Sequence, residues 1–308
     1  MAGFRTTRRL RAKAPYDFGK SLILLVGGDP QIRSYQDGAY RQALQVDDTV
    51  LLLTARALGT VDNVQVAVEL LAEDPAGPKT IDRTWRIANR IFNLDLDLNP
   101  FYSQVRDDAV LGGLVHELRG VKAPRTPTVH EALVESITEQ QISLVAAHSM
   151  QARLIRRYGR STEIDGERYF AFPSPAGLAD ASIEDLRACG LSGKKAEYIR
   201  DVSAAASRGD LDLAGMERTT DSQLLIEELC EIRGIGRWTA EMTALRGMGR
   251  HDLLPADDVG LRRALARFYA PGKRITADEA RRIAEPWGKW RGLAAFYLIV
   301  AQRAGLAP

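Results

Sequence analysis

Little cysteine, little histidine, no long apolar run and almost no net charge: each shortage in this chain closes off a class of protein. Its 308 residues include two cysteines, Cys189 and Cys230, too few for a disulfide framework and not part of any closely spaced metal-ligand set. The four histidines, His116, His130, His148 and His251, lack the short spacing of a zinc site. No uninterrupted apolar stretch is long enough to span a bilayer, so no membrane association is expected. The start, Met1-Ala-Gly-Phe-Arg-Thr-Thr-Arg-Arg9, is not followed by a signal-type apolar segment, which makes the cytoplasm the default location. A net charge of +2 does not by itself identify or exclude a nucleic-acid partner. What the chain does have is apolar content, 45% hydrophobic residues, enough to bury a core in about two or three compact units.

Those units differ in texture. Within residues 1–95, Leu22-Ile-Leu-Leu-Val26, Thr49-Val-Leu-Leu-Leu-Thr54 and Val64-Gln-Val-Ala-Val68 are short β-rich runs separated by turn signals, and they predict a small antiparallel sheet. Residues 80–93 place apolar groups at three- and four-residue intervals and predict an amphipathic helix packed on that sheet. Asn93-Leu-Asp-Leu-Asp-Leu-Asn-Pro100 reads as a connector, and helical periodicity dominates afterwards. One helix opens at Pro127-Thr128 and another runs from about Ile142 to Tyr158, where Gly159 stops it. Later helices are expected near 182–188, 194–206, 221–231, 237–246, 259–269, 276–285 and 290–304. The fold class is therefore α+β, an N-terminal antiparallel sheet with helices followed by a mostly α-helical core. There is no internal repeat and no low-complexity tract.

The chemistry-bearing stretch is Leu229-Cys-Glu-Ile-Arg-Gly-Ile-Gly-Arg-Trp-Thr-Ala240, followed by Leu254-Pro-Ala-Asp-Asp-Val-Gly-Leu261. Gly234 and Gly236 flank one apolar residue between helix-like segments, so the chain can turn sharply and present main-chain N–H groups at a helix start, a seat for phosphate. Alone, Gly-x-Gly between helices is often a capping glycine and a tight turn. Asp257 and Asp258 precede another helix, where aspartate ordinarily serves as an N-cap. A nucleotide-binding reading of Gly-x-Gly fails, because no strand precedes it and no third glycine follows. Basic residues gather at Arg153–Arg160, Lys194–Lys195, Arg233 with Arg237, and Arg262, Arg263 and Arg267. Arg237 and the Lys194–Lys195 pair lie at glycine-marked helix starts, which suits phosphate contact.

The hairpin, Trp-Thr-Ala and downstream aspartate occur in the order of the helix-hairpin-helix DNA glycosylase superfamily, and the chain most resembles its 3-methyladenine DNA glycosylase II branch. Pro15-Tyr-Asp-Phe18, Ser136-Ile-Thr-Glu-Gln-Gln-Ile-Ser143 and Trp287-Gly-Lys-Trp-Arg291 fall in the same order, so the resemblance covers nearly the whole chain. It implies an N-terminal α/β domain over 1–95 and a helical glycosylase core of two subdomains with the active-site cleft between them. Residues 96–125 would connect and begin the second subdomain, 126–250 would form the domain with the hairpin, and 251–308 would complete the second subdomain.

The activity implied is monofunctional base excision: a damaged nucleotide is flipped out of duplex DNA and its N-glycosidic bond hydrolysed. Asp258, in Asp-Val-Gly, matches the family's catalytic aspartate and would stabilise an oxocarbenium-like sugar. Main-chain and side-chain groups of Gly234, Ile235, Gly236, Arg237, Thr239, Lys194 and Lys195 would hold the DNA backbone. Gln140 and Gln141 would fill the gap left by the flipped base. Bifunctional members carry a lysine two residues after the second hairpin glycine, where this chain has Trp238, so no lyase activity is expected. The base pocket would be formed by Trp238, Met242, Val259, Ile299, Leu24 and Phe18, with Tyr297 and Phe296 nearby. It is less aromatic than the best-studied family pattern. Catalysis would need no cofactor. A sodium or potassium ion would sit on the carbonyls of Cys230, Ile232 and Ile235, and no iron–sulfur cluster is expected, since no cysteine follows Cys230. The resemblance implies a monomer acting on double-stranded DNA that contains a damaged base, nucleoid-associated if the source is bacterial. Two alternatives stay open: a same-fold glycosylase for deaminated bases such as hypoxanthine or uracil, and a non-catalytic helix-hairpin-helix DNA-binding protein.

Overall fold

The structure, a computed structural model, describes residues 3–25 and 28–307. Its first unit is a five-stranded antiparallel sheet in the order β1-β5-β4-β3-β2, formed by β1 (Phe4–Arg11), β2 (Arg33–Gln36), β3 (Ala39–Val46), β4 (Thr49–Thr60) and β5 (Asn63–Ala72). Period-two alternation in β5 turns Val64, Val66, Val68, Leu70 and Ala72 inward. Helix α1 (Phe18–Ser21) lies between β1 and β2, and α2 (Pro78–Phe92) follows the sheet. Pro78 starts α2 and Asn93, left-handed at φ 49°, ends it. Its buried face, Trp85, Ala88, Ile91 and Phe92, joins the inward strand residues in one core.

One expected strand is absent. Leu22–Leu25 form turns that continue α1, with the Leu22 amide donating to the Gly19 carbonyl and the Leu25 amide to that of Leu22. Asp17 caps α1 through the Lys20 amide, and this local helical start overrides the β propensity of the run. Leu22 is fully buried, whereas Ile23 and Leu24 are partly buried against the core that holds the C-terminal helices; Val26 lies outside the described residues.

The helices build two further cores. The first contains α5 (Val129–Glu139), α6 (Leu144–Tyr158), α7 (Pro175–Ala179), α8 (Ile183–Ala188), α9 (Gly193–Arg208), α10 (Leu213–Arg218), α11 (Ser222–Cys230) and α12 (Arg237–Thr243). The second joins α3 (Asn99–Gln104) and α4 (Leu111–Glu117) to α13 (Val259–Tyr269), α14 (Ala277–Ala284) and α15 (Arg291–Arg303). The chain thus enters the second core, leaves to build the first, and returns at α13. Buried Tyr297 of α15 donates its hydroxyl to the Val121 carbonyl at 2.8 Å and fastens the two parts of that core.

Smaller elements lie between these helices. Strands β6 (Ser161–Ile164) and β7 (Glu167–Phe170) pair across Asp165-Gly166, both left-handed, a two-residue hairpin whose Asp-Gly signal is plain in the sequence. The helix expected over 237–246 stops at Thr243 and rewinds into a π turn, Ala244–Met248, ended by Gly249 at φ 72°. The sheet domain is tied to this region: Arg33 of β2 pairs with Glu131 of α5 at 2.8 Å, and Arg90 of α2 donates to the Gly247 carbonyl in the π turn. Among the described residues, no helix is long and apolar enough to cross a membrane.

Candidate active site and nucleic-acid interface

The two hairpin glycines do different work. Gly234 sits at φ +89°, and a Cβ there would lie 2.4 Å from the Tyr198 ring of α9, so both conformation and close approach require glycine. Gly236 has ordinary extended angles and open space around its missing Cβ. Between them Ile235 is buried in the first helical core and pins the turn. Most helix starts in that core carry a Ser, Thr or Asp side-chain cap, as at Thr128, Ser143, Ser192 and Asp221. Helix α12 starts on Gly236 with no side-chain cap, which leaves its first amides free to meet a phosphate oxygen. Arg237 remains 49% exposed while its Nε donates to buried Glu241 at 2.9 Å. Burial raises the Glu241 carboxyl's pKa, and Arg237 opposes that shift.

Asp258 is both a cap and a candidate acid. Its Oδ1 accepts the Leu261 amide at 2.7 Å as the N-cap of α13, and its Oδ2 accepts the indole N–H of Trp238 at 3.2 Å. The second bond spans the two helical cores, since Trp238 stands on α12 and Asp258 opens α13. Both carboxylate oxygens are therefore oriented, at a half-buried position beside the hairpin helix. Gly260 leaves room beside the capping oxygen: a Cβ there would come 3.1 Å from Oδ1. Asp257 is exposed and paired with Arg281 at 3.2 Å, so it does not share this geometry. Such an acid can stabilise positive charge developing on a neighbouring sugar.

Of the expected pocket residues, Trp238 and Met242 lie one turn apart on α12 and share a face. Val259 follows Asp258 and is 52% exposed. Leu24 and Ile299 are half-buried against the second helical core, with Phe296. Phe18 does not belong with them. It is buried at 3% exposure in the sheet domain, with ring centroids 6.1 Å from Tyr16 and Tyr35 and 5.2 Å from Phe92, because the edges and faces of four rings satisfy one another there. Tyr297 is likewise fully buried, with its hydroxyl on a carbonyl.

The structure separates the expected DNA contacts. Lys194 is exposed, with no ion-pair or hydrogen-bond partner for its ammonium among the described residues. Lys195 is not free: its ammonium donates to the carbonyls of Thr138 at 2.8 Å and Gln140 at 2.6 Å, capping the end of α5. Gln140 is also committed, its amide donating to the Gly234 carbonyl at 3.1 Å and to Thr239 Oγ1 at 2.9 Å. Thr239 is buried and its hydroxyl faces that amide, not solvent. Gln141 alone of the glutamine pair is exposed, at φ +56° on the tip of the turn. Sequence reasoning passed over Leu144 and Val145, 57% and 81% exposed beside that tip; two apolar residues directly after the Ser143 cap were the available signal. It also passed over the pair in which Arg246 Nη1 donates to both carboxylate oxygens of Glu139 at 2.7 and 2.9 Å, which joins the π turn to α5 and has no local signature.

Among the described residues, no group of three or more His, Cys, Asp or Glu side chains is placed to hold a metal. The carbonyls of Cys230, Ile232 and Ile235 all belong to the end of α11 and the hairpin turn, and that of Ile232 accepts the Ile235 amide at 3.0 Å. Carbonyl oxygen is a suitable donor for a hard monovalent ion, and the second lone pair of the Ile232 oxygen remains for one.

A model of the HhH-GPD superfamily base excision DNA repair protein matches residues 134–289. The chain is 29% identical over 291 residues to DNA-3-methyladenine glycosylase 2 of Escherichia coli (strain K12), covering 94% of this chain and 95% of the relative. It is 29% identical over 244 residues to the DNA-3-methyladenine glycosylase of Bacillus subtilis (strain 168), covering 78% and 80%. Among solved structures, the 3-methyladenine DNA-glycosylase from Archaeoglobus fulgidus superposes with a TM-score of 0.83 at 26% identity, covering 96% of this chain and 98% of the other.

Proposed function

We propose, for a chain that belongs to the HhH-GPD superfamily of base excision DNA repair proteins, the function of a monofunctional DNA glycosylase for alkylated bases of the 3-methyladenine type. The carrying observation is the Trp238–Asp258 hydrogen bond, which aims one carboxylate across the junction of the helical cores next to the hairpin. The names of the relatives at 26–29% identity point to the same substrate class.

The steps follow from this chain's residues. The uncapped amides from Gly236 to Thr239, with Arg237 and Lys194, hold the backbone through contacts that carry no sequence information. Gln141 enters the gap as the nucleotide swings out; its amide can hydrogen-bond the orphaned partner base. As the C1′–N bond breaks, its electron pair leaves with the base and the sugar becomes oxocarbenium-like. Asp258 stabilises that cation and orients the water that adds at C1′ and passes its proton to solvent. An N-alkylated cationic purine departs neutral and needs no protonation. That suits a site with one oriented carboxylate and with Asp257 held apart by Arg281. Trp238 in place of the lysine leaves no amine for a Schiff base, so strand scission does not follow.

A sodium or potassium ion on the Cys230, Ile232 and Ile235 carbonyls would strengthen the phosphate grip. The protein would act as a monomer in the cytoplasm, on the nucleoid if bacterial. The test is incubation with defined lesion duplexes, with and without alkali. Alkylated bases should be released, strands should break only after alkali, and borohydride should trap no adduct. Asp258→Asn should abolish release while sparing DNA binding; full activity in that variant overturns the assignment.

A further inference from the structure

We infer that Lys195 and Gln140 are positioning residues that fix the Gln141 turn to the DNA-gripping hairpin, so that backbone grip and gap filling act as one rigid unit. The inference rests on Gln141 being the gap-filling residue of the proposed function.

The turn between α5 and α6 is four residues long, and its tip, Gln141, adopts a left-handed conformation that non-glycine residues avoid. Such a conformation persists only where its surroundings hold it. Here the holding is visible on both sides of Gln140. The Lys195 ammonium, from the first turn of α9, crosslinks the carbonyls of Thr138 and Gln140 at 2.8 and 2.6 Å. The Gln140 amide then reaches into the hairpin, to the Gly234 carbonyl at 3.1 Å and Thr239 Oγ1 at 2.9 Å. Gly234 is in turn packed on Tyr198, three residues along α9 from Lys195. The contacts therefore close a ring: α9, the α5–α6 turn, the hairpin and α9 again. Lysine is suited to the task because one ammonium can donate to two carbonyls at a helix end, where the helix dipole also favours a cation. Neither bond involves a carboxylate, so this is not an ordinary ion pair. Both partner oxygens belong to the main chain that sets the Gln141 backbone.

The role differs from mere stabilisation, and the difference can be measured without any base release. The probe is a duplex with a tetrahydrofuran abasic site opposite 2-aminopurine, whose fluorescence reports insertion into the gap. Binding of this duplex and of an undamaged duplex is followed by anisotropy for wild type, Lys195→Met, Lys195→Arg, Gln140→Leu, Gln141→Ala and Lys195→Met/Gln141→Ala. Lys195→Met should lower the preference for the abasic duplex about tenfold, as expected from losing charge-assisted bonds. Undamaged-duplex affinity should change less than about twofold, since the Lys195 ammonium is already committed to two carbonyls. Lys195→Arg should restore part of the preference, and Lys195→Met should add nothing once Gln141 is alanine. An unchanged preference in Lys195→Met, or a loss of the same size in the Gln141→Ala background, overturns the inference. Gln140→Leu supplies the second variant should Lys195→Met fold poorly. A protein that prefers the abasic duplex yet releases no alkylated base would sink the functional reading while leaving the coupling readable.

Discussion

Replacing each hairpin glycine by alanine should separate folding from DNA grip. At Gly234 the φ of +89° puts an L-residue in the left-handed region, at a cost of about 1–2 kcal/mol. The new Cβ would also lie 2.4 Å from Cγ and Cδ2 of Tyr198. Cγ is the root of that ring, so relief requires the whole side chain to swing away from the hairpin, and overpacking of this kind costs about 1–3 kcal/mol. Gly234→Ala should therefore lose about 2–5 kcal/mol in urea unfolding followed by tryptophan fluorescence. In a Tyr198→Ala background the packing contribution vanishes, and the loss should shrink to about 1–2 kcal/mol. At Gly236 the backbone is ordinary and the space is empty. Gly236→Ala should change stability by less than about 0.5 kcal/mol. Its methyl group would nevertheless stand beside the uncapped amides, and DNA affinity measured by anisotropy should fall about tenfold, the worth of roughly one main-chain phosphate bond. Equal stability of the two variants would refute the division of roles, and so would undiminished DNA affinity in Gly236→Ala.

Three further outcomes follow from single side chains. Trp238→Phe keeps an aromatic ring but removes the N–H donor to Asp258 Oδ2; single-turnover base release should slow about tenfold or more with little change in DNA affinity, and wild-type rates would show that the bond is idle. Lys122 has no accessible surface, donates to the Leu94 carbonyl at 2.8 Å, and is pushed down to about 8 by burial. Below pH 8 folding must bury its charge, so Lys122→Met should raise stability at pH 7 by about 1–3 kcal/mol, with the gain shrinking from pH 8 to 10 as the wild-type amine loses its proton. His130, buried with Nε2 2.9 Å from Ser203 Oγ, is pushed down to about 4. The unfolded chain takes up that proton below about pH 6.5 and the folded chain only near 4, so stability is lost across this window, and the advantage of wild type over His130→Gln in urea should narrow as pH falls from 7 to 4.

Local signals carried much of this structure. Alternation in Val64–Val68, the three- and four-residue spacing of α2, and the Ser, Thr and Asp caps before the later helices are written into short segments. They work because cap, period and stop agree in each case. Legibility fails where a residue's partner is remote. Leu22–Leu25 has the composition of a strand, yet Asp17 starts a helix just before it and the second helical core claims Leu24. Phe18 looks available to a base until Tyr16, Tyr35 and Phe92 surround it. A lysine at a glycine-marked helix start suits a phosphate and the resemblance makes Gln140 a gap-filling residue, but only the fold shows that carbonyl oxygens and the Thr239 hydroxyl have taken their donors.

Asp258 shows why the ordinary and functional readings of a residue need not compete. As an N-cap it gives one oxygen to the Leu261 amide, worth about 1 kcal/mol to the helix. That bond fixes the carboxylate's rotation. The other oxygen accepts the Trp238 indole N–H and on the proposed function faces the charge that develops on the sugar. A carboxylate on a free side chain would have to be ordered during the reaction, whereas this one is ordered when the protein folds. On the proposed function the cap is therefore part of the catalytic device, and the converse holds at the hairpin, where α12 lacks the cap that most neighbouring helices have. One helix start is filled by its own side chain and on the proposed function supplies the acid. The other, 22 residues earlier at Gly236, is left open and on the proposed function receives a phosphate, so the two helix starts differ by the presence or absence of a single capping oxygen.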